Sequence, residues 1–441
     1  MKIIKLFLSI AGILLLLIAL QFYRQSSEPH SFIWEVPEIE QVFTALGAKE
    51  IAVSEKNVVT FTLEQGSALF DGVQGNVSLY PSAPLEQTVE IPQGQDALEP
   101  KVFRNDDGLF QFVFSDGQQQ LFRTAAQERM FSMKNATRQI ALQVINGVTL
   151  GGVYALVAVG YTLVYGIMMM INFAHGEIFM FGAYGAFFAF SAFAASGELK
   201  LPWLLAFLAS LLIAMAVSAG VGLSTERAAY RPLRNAPRLT LLISAIGASI
   251  FLQNVMMLIT SGRIKYYPNN ALVKGAIPLF GGVAIEKIGI LIIALSIAMM
   301  SGLYLIIQKT KIGKAIRAVA EDRNTASLMG INVNQIIVTT FLLGSSMAGA
   351  GGIMVGLRDT QINHMMGFLP GMKAFTAAVL GGIGNIPGAM LGGYFLGVAE
   401  ALGAQFMPAE YKDVIAFTLL VFILIFRPTG LMGEVLATKK M

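Results

Sequence analysis

No cysteine occurs in the 441 residues, which removes disulfides, thiolate metal sites and a cysteine nucleophile together. Histidine is nearly as scarce. His30, His175 and His364 are the three in the chain and stand far apart, so a zinc site has no cluster to start from. Charged residues make up 13%, about half of the roughly 25% usual in soluble domains. The net charge of +4 is modest and the basic residues gather in a few loops. A nucleic-acid partner is therefore not expected, because it needs a concentrated basic face. There is also no GxxxxGK[ST] stretch to cradle nucleotide phosphates. These absences leave no catalytic residue, cofactor or metal to assign.

What is present is apolar. Hydrophobic residues reach 55%, with 45 Gly, 22 Met and 30 Phe. From Ile140 to Met441 one hydrophobic run follows another, at about 140–166, 167–194, 201–222, 239–260, 288–307, 336–357, 371–405 and 413–427. A helix needs about 20 such residues to cross a bilayer. The 371–405 run is long enough for a re-entrant half followed by a full span, with Pro387 marking the break. The expected fold is an all-α polytopic membrane protein of about eight to nine crossings or half-crossings, preceded by an N-terminal anchor and a small β-rich domain.

Lys2 and Lys5 precede an apolar run from Leu6 to Leu20, which reads as a signal anchor or signal peptide over residues 1–24. Gln21 to Arg24 give no clean small-x-small cleavage site, which favours the anchor. Residues 25–134 differ in kind. VVTFTL (Val58 to Leu63), VSLY (Val77 to Tyr80) and LFQFVF (Leu109 to Phe114) have strand length and composition, and Asp71–Gly72, Asp107–Gly108 and Asp116–Gly117 supply turns. Residues 135–433 form the expected membrane domain, and 434–441 a tail.

Lys and Arg set the orientation. Arg227, Arg231, Arg234 and Arg238 fall in one loop, Lys309, Lys311, Lys314, Arg317 and Arg323 in a second, and Arg427, Lys439 and Lys440 at the tail. These regions are expected in the cytoplasm. Counting spans backward from Ser224 puts residue 139 outside, and an anchor with Lys2 and Lys5 inside puts residues 25–134 on the same, periplasmic side. The tail returns inside only if 371–405 crosses twice.

Ile312, Ala315, Ile316, Val319 and Ala320 form one apolar helical stripe in the loop from Lys309 to Ile331, with Lys314, Arg317, Glu321 and Asp322 opposite and Gly330 as a stop. Such a helix either lies on the lipid surface or docks into a partner protein. INFAHGE (Ile171 to Glu177) sets Asn172, His175 and Glu177 at a span junction, where polar groups face a pathway or simply hold a turn. Glu400 lies inside an apolar span and is a further pathway candidate, or a structural hydrogen-bonding group. Gly344, Ala348, Gly352 and Gly356 make one small-residue ladder and Gly384, Gly388 and Gly392 another, both suited to close helix packing. Glu410, Lys412 and Asp413 occupy a short loop on the periplasmic side, solvated or available to a binding protein.

GKAIRAVAEDRNTASLMGI (Gly313 to Ile331) resembles the cytoplasmic coupling loop of ABC importer permeases. NGVTLGGVYALVAVGYTLVYGIMMMINFAHGEIFMFGAY (Asn146 to Tyr184), ERAAYRPLR (Glu226 to Arg234), LISAIGASIFLQN (Leu242 to Asn254), GMKAFTAAVLGGIGNIPGAMLGG (Gly371 to Gly393) and EYKDV (Glu410 to Val414) resemble the LivH-type permeases of branched-chain amino acid importers. The resemblance covers nearly all of 140–433, and the N-terminal 134 residues depart from it. It implies an inner-membrane permease that forms half of a translocation path and does no chemistry of its own. It further implies two ATPase subunits coupled through residues 309–331, a second LivM-like permease and a periplasmic substrate-binding protein. Urea, short amides or other amino acids are alternative substrates, and a stand-alone secondary transporter is the alternative class.

Overall fold

The computed structural model describes residues 41–44, 48–53, 58–63, 75–81, 101–104, 109–113, 119–195, 203–234, 236–267, 275–279, 283–404, 412–427 and 429–433. The expected anchor at 1–24, the three Asp–Gly turns, Glu410 and the 434–441 tail lie outside them. The chain divides into two compact units, Met1–Gln139 and Ile140–Met441.

In the first unit six strands, β1 (Ala48–Val53), β2 (Val59–Leu63), β3 (Gly75–Pro81), β4 (Lys101–Arg104), β5 (Phe110–Val113) and β6 (Gln119–Thr124), join in the order β1-β2-β3-β6-β5-β4. Neighbouring strands are antiparallel. Alternation decides which face is buried. Val59, Phe61 and Leu63 of β2 point inward with Phe110 and Phe112 of β5 and Phe122 of β6, while Thr60 is exposed. The Phe43 and Phe61 rings stack at 4.6 Å over this face. Each strand expected from the sequence overlaps an observed one.

The second unit is helical. Its helices are α1 (Ala125–Met168, within which the division falls), α2 (His175–Ala195), α3 (Trp203–Thr225), α4 (Arg238–Thr260), α5 (Lys287–Lys309), α6 (Lys311–Glu321), α7 (Arg323–Leu328), α8 (Val333–Asp359), α9 (Phe368–Gly381), α10 (Ile386–Gly403) and α11 (Lys412–Phe426). Among the described residues, seven helices are long and apolar enough to cross a membrane. The rest of the expected count resides in α9 and α11, which are apolar but only 14 and 15 residues long, about 21–22 Å against a hydrocarbon core of about 30 Å.

Glycine spacing explains why α8 lies at the centre. The most apolar window of α8 is 67% buried, against 11% for α4. A Cβ on Gly344 would come within 3.1 Å of the Gly160 carbonyl of α1, and one on Gly349 within 2.6 Å of the Ala214 carbonyl of α3. One on Gly352 would fall 2.7 Å from the Ala183 nitrogen of α2. A tight crossing of α1 with α10 went unnoticed in the sequence. Gly147 meets the Val398 and Gly397 backbone and the Ala401 methyl, and Gly151 and Ala155 face Gly397 and Gly393 backbone to backbone, an antiparallel small-xxx-small pair.

The 371–405 run breaks where residues 382–385 turn the chain. Gly382 and Gly384 sit at φ +109° and +92°, in the left-handed region open to glycine. Asn385 caps α10 by accepting from the Gly388 amide at 2.9 Å, and Pro387 lies in the first turn of α10 rather than in the break. Gly384 therefore does not continue the second ladder: open space surrounds it, whereas Gly388 and Gly392 press against Gly381 and Ala377. Residues 431 and 432 close the turn, with Leu431 N donating to Leu380 O at 2.8 Å and Met432 N to Gly381 O at 3.0 Å.

Candidate translocation site and coupling loop

The INFAHGE segment forms the turn between α1 and α2. Met169 takes φ +51°, and the His175 amide donates to the Asn172 carbonyl at 3.0 Å. The Asn172 side chain accepts from the Tyr230 hydroxyl at 2.5 Å. Tyr230 ends a single π-helical stretch (Glu226–Tyr230) that prolongs α3. Asn172 is thus a tether between two elements. His175 is fully buried, edge-on to the Tyr161 ring at 4.7 Å, in space that exists because residue 160 is glycine.

Glu177, in the first turn of α2, is only 1% exposed. Its Oε1 lies 3.4 Å from the Ser249 hydroxyl of α4, a long contact, and its Oε2 has no hydrogen-bond partner among the described residues. It lines a cavity of about 360 Å³ together with Tyr161, Ile246, Ser249, Gln253 and Met372. The N-terminus of α9 closes another wall. Gly367 and Gly371 approach Gly176 so nearly that a Cβ on Gly371 would sit 2.8 Å from the Gly176 Cα. Two helix N-termini therefore converge beside one carboxylate.

Glu400 does not line this cavity. Its Oε1 accepts from Lys373 Nζ at 2.6 Å and its Oε2 from the Tyr154 hydroxyl at 3.0 Å. Lys373 also reaches Asp413 at 2.5 Å. Four groups on α1, α9, α10 and α11 thus form one largely buried network, which sequence reading missed because it offered no partner for either charge. Asp413 belongs to this network in the first turn of α11, and Lys412 beside it is exposed.

The 309–331 loop folds as α6 and α7. Thr310 caps α6 by accepting from the Gly313 amide at 3.1 Å. Asp322 caps α7 by accepting from Asn324 N at 2.9 Å. Gly330 ends the segment at φ +84°. The apolar stripe on α6 faces inward. Ile316 and Val319 are buried in the core that α1 and α8 share, while Ile312 is half exposed and Glu321 exposed. Ile316 and Val319 are unavailable to a partner because their own bundle covers them. The apolar residues that do face outward are Leu328 and Met329, 88% and 78% exposed. Arg317 staples α6 to α5 through the Ile307 carbonyl at 2.9 Å, and Arg323 donates to the Ile167 carbonyl at the end of α1. Arg234 pairs with buried Glu226 and with Asn334, tying the 226–234 loop to the start of α8.

Seven apolar spans with a glycine-lined helix at their centre, a cavity beside the N-terminus of the short helix α9 and an ordered loop beyond the spans define a polytopic transport permease. The chain is a multi-pass membrane protein. Residues 143–424 match the family described as the branched-chain amino acid transport system / permease component, and the chain belongs to that family. It is 50% identical over 297 residues (66% of this chain, 95% of the relative) to the high-affinity branched-chain amino acid transport system permease protein BraD of Pseudomonas aeruginosa. It is 47% identical over 295 residues (66% and 95%) to the permease protein LivH of Escherichia coli K12. A probable LivH of Methanocaldococcus jannaschii is 30% identical over 296 residues (63% and 88%).

Proposed function

We propose that the chain is the transmembrane permease subunit of an ATP-driven importer for branched-chain amino acids and forms half of the translocation path. The observation that carries this reading is the 50% identity to a relative named for that transport, across 95% of the relative's length. Urea, short amides and a secondary-transport mechanism have no comparable support. Two ATPase subunits, a second LivM-like permease and a periplasmic substrate-binding protein complete the machine. The membrane is the inner membrane of a bacterium, residues 25–134 stand in the periplasm as a β-rich domain, and residues 1–24 anchor them.

In this reading the 309–331 loop is the coupling element, and its contact with the ATPase is made by Leu328, Met329 and Ile312. Ile316, Val319, Ala315 and Ala320 act on the inner side, carrying motion from the loop into α8 and α1. Glu321, Asp322 and Gly330 shape the loop. Glu177 lines the path, His175 and Asn172 hold its wall, and Glu400 supports it through the Lys373 network. Glu410, Lys412 and Asp413 are the candidate contacts for the binding protein.

The test is co-purification of the tagged full-length chain in mild detergent, followed by leucine uptake in proteoliposomes with the matching binding protein. P-loop ATPases in the eluate and ATP-dependent leucine uptake are expected. A chain that purifies alone while other complexes survive, or uptake that needs no ATP, overturns the reading.

A further inference from the structure

We infer that the cavity bounded by α2, α4 and the N-terminus of α9 is a way-station for a zwitterionic amino acid, with Glu177 anchoring its α-ammonium group. The inference rests on the permease reading above and gives it a specific site.

The Glu177 carboxyl is 1% exposed, and one of its oxygens has no partner among the described residues. A carboxylate in an apolar bundle is costly unless something positive meets it. None of the described residues lining the cavity is basic, so the protein does not supply that cation. It does supply partial positive charge from two directions. Gly176 and Glu177 lie in the first turn of α2, and Gly367 is the N-cap from which α9 starts at Phe368. Each helix N-terminus carries about half a positive charge. Two such ends and one carboxylate balance to about zero, so the ligand that completes the site is net neutral with separated charges. Its ammonium meets Glu177, and its carboxylate turns toward the α9 end and the Ser249 hydroxyl. Discontinuous helices use their positive ends in this way.

Size and lining agree. About 360 Å³ lies at the small end of the roughly 300–1,000 Å³ of small-molecule pockets. Ile246, Ile250, Phe173 and Met372 give it an apolar wall for an aliphatic side chain. Gln253 and Ser249 lie on α4, the least buried of the seven spans.

The absence of cysteine makes the test direct. In the purified full complex, Gln253→Cys is the chain's only thiol, and its modification by small cationic and anionic methanethiosulfonates is read by mass spectrometry of this chain. Cationic reagent is expected to react faster by roughly tenfold or more, because an unpaired carboxylate lines the same cavity. Leucine slows both reactions. Adding Glu177→Gln removes the charge preference and the leucine protection while complex yield stays constant, and Glu177→Asp retains part of each. Equal rates for the two reagents, or leucine protection that survives Glu177→Gln, overturns the inference. A preserved charge preference with protection by another amino acid and none by leucine supports the ammonium anchor and overturns the branched-chain substrate instead.

Discussion

Lys373 Nζ stands 2.6 Å from Glu400 Oε1, with α9 and α10 joined through an ion pair whose side chains are 5% and 3% exposed. Asp413 holds the same ammonium from α11. The pair has two carboxylates to one lysine, so its members are not equivalent.

Lys373→Met should be the most damaging change in this network, because it strands two carboxylates. Removing one partner of a buried pair costs about 3–5 kcal/mol. Glu400→Gln should cost less, since Asp413 still faces the lysine and Tyr154 can still donate. Thermal unfolding of the detergent-solubilised chain ranks the two, and the opposite order would show that the network is not organised around the lysine.

The α1–α10 and α9–α10 contacts should fail at single glycines. Gly397→Leu has to displace the Gly151 backbone of α1, and Gly388→Leu has to displace Gly381 of α9. Overpacking usually costs about 1–3 kcal/mol, and more where backbone must move. Gly302→Leu on α5, with open space around it, is the control and should change stability by less than about 0.5 kcal/mol. Yield of monodisperse protein distinguishes them.

The coupling loop separates by face. Met329→Asp should leave the chain folded and reduce ATPase recovery, because that residue is 78% exposed. Ile316→Asp should unfold the loop, because it buries a charge without a partner. If Met329→Asp retains full ATPase recovery and coupled uptake, the outer tip is not the contact.

Asn385→Ala should destabilise the hairpin by about 1 kcal/mol through loss of the α10 cap. It also removes the 3.0 Å bond from Asn385 Nδ2 to Met432 O. Hydrogen exchange at residues 380–388 should rise in the variant.

Apolar run lengths located every long helix, and the excess length of 371–405 announced a break. Periodicity also found the α6 stripe, but it gives a face and not what the face meets. The same pattern describes a helix lying on lipid, on a partner or on its own bundle, and the bundle turned out to cover it. Glu177 was legible as a polar group at a span junction. The Lys373 network was not, because Glu400 and Asp413 follow Lys373 by 27 and 40 residues and nothing local pairs them. Gly147 and Gly151 escaped notice because one partner ladder, Gly393 and Gly397, was absorbed into a longer glycine-rich run.

The bonds from Leu431 and Met432 to Leu380 and Gly381 also have a meaning in time. Chains are synthesised from the N-terminus, and Met432 follows Asn385 by 47 residues. When α9 and α10 leave the ribosome the Leu380 and Gly381 carbonyls at the end of α9 still lack these partners, as the last carbonyls of any helix do. The stretch that relieves this comes later in the chain, so the hairpin closes only after Leu431 and Met432 have been made.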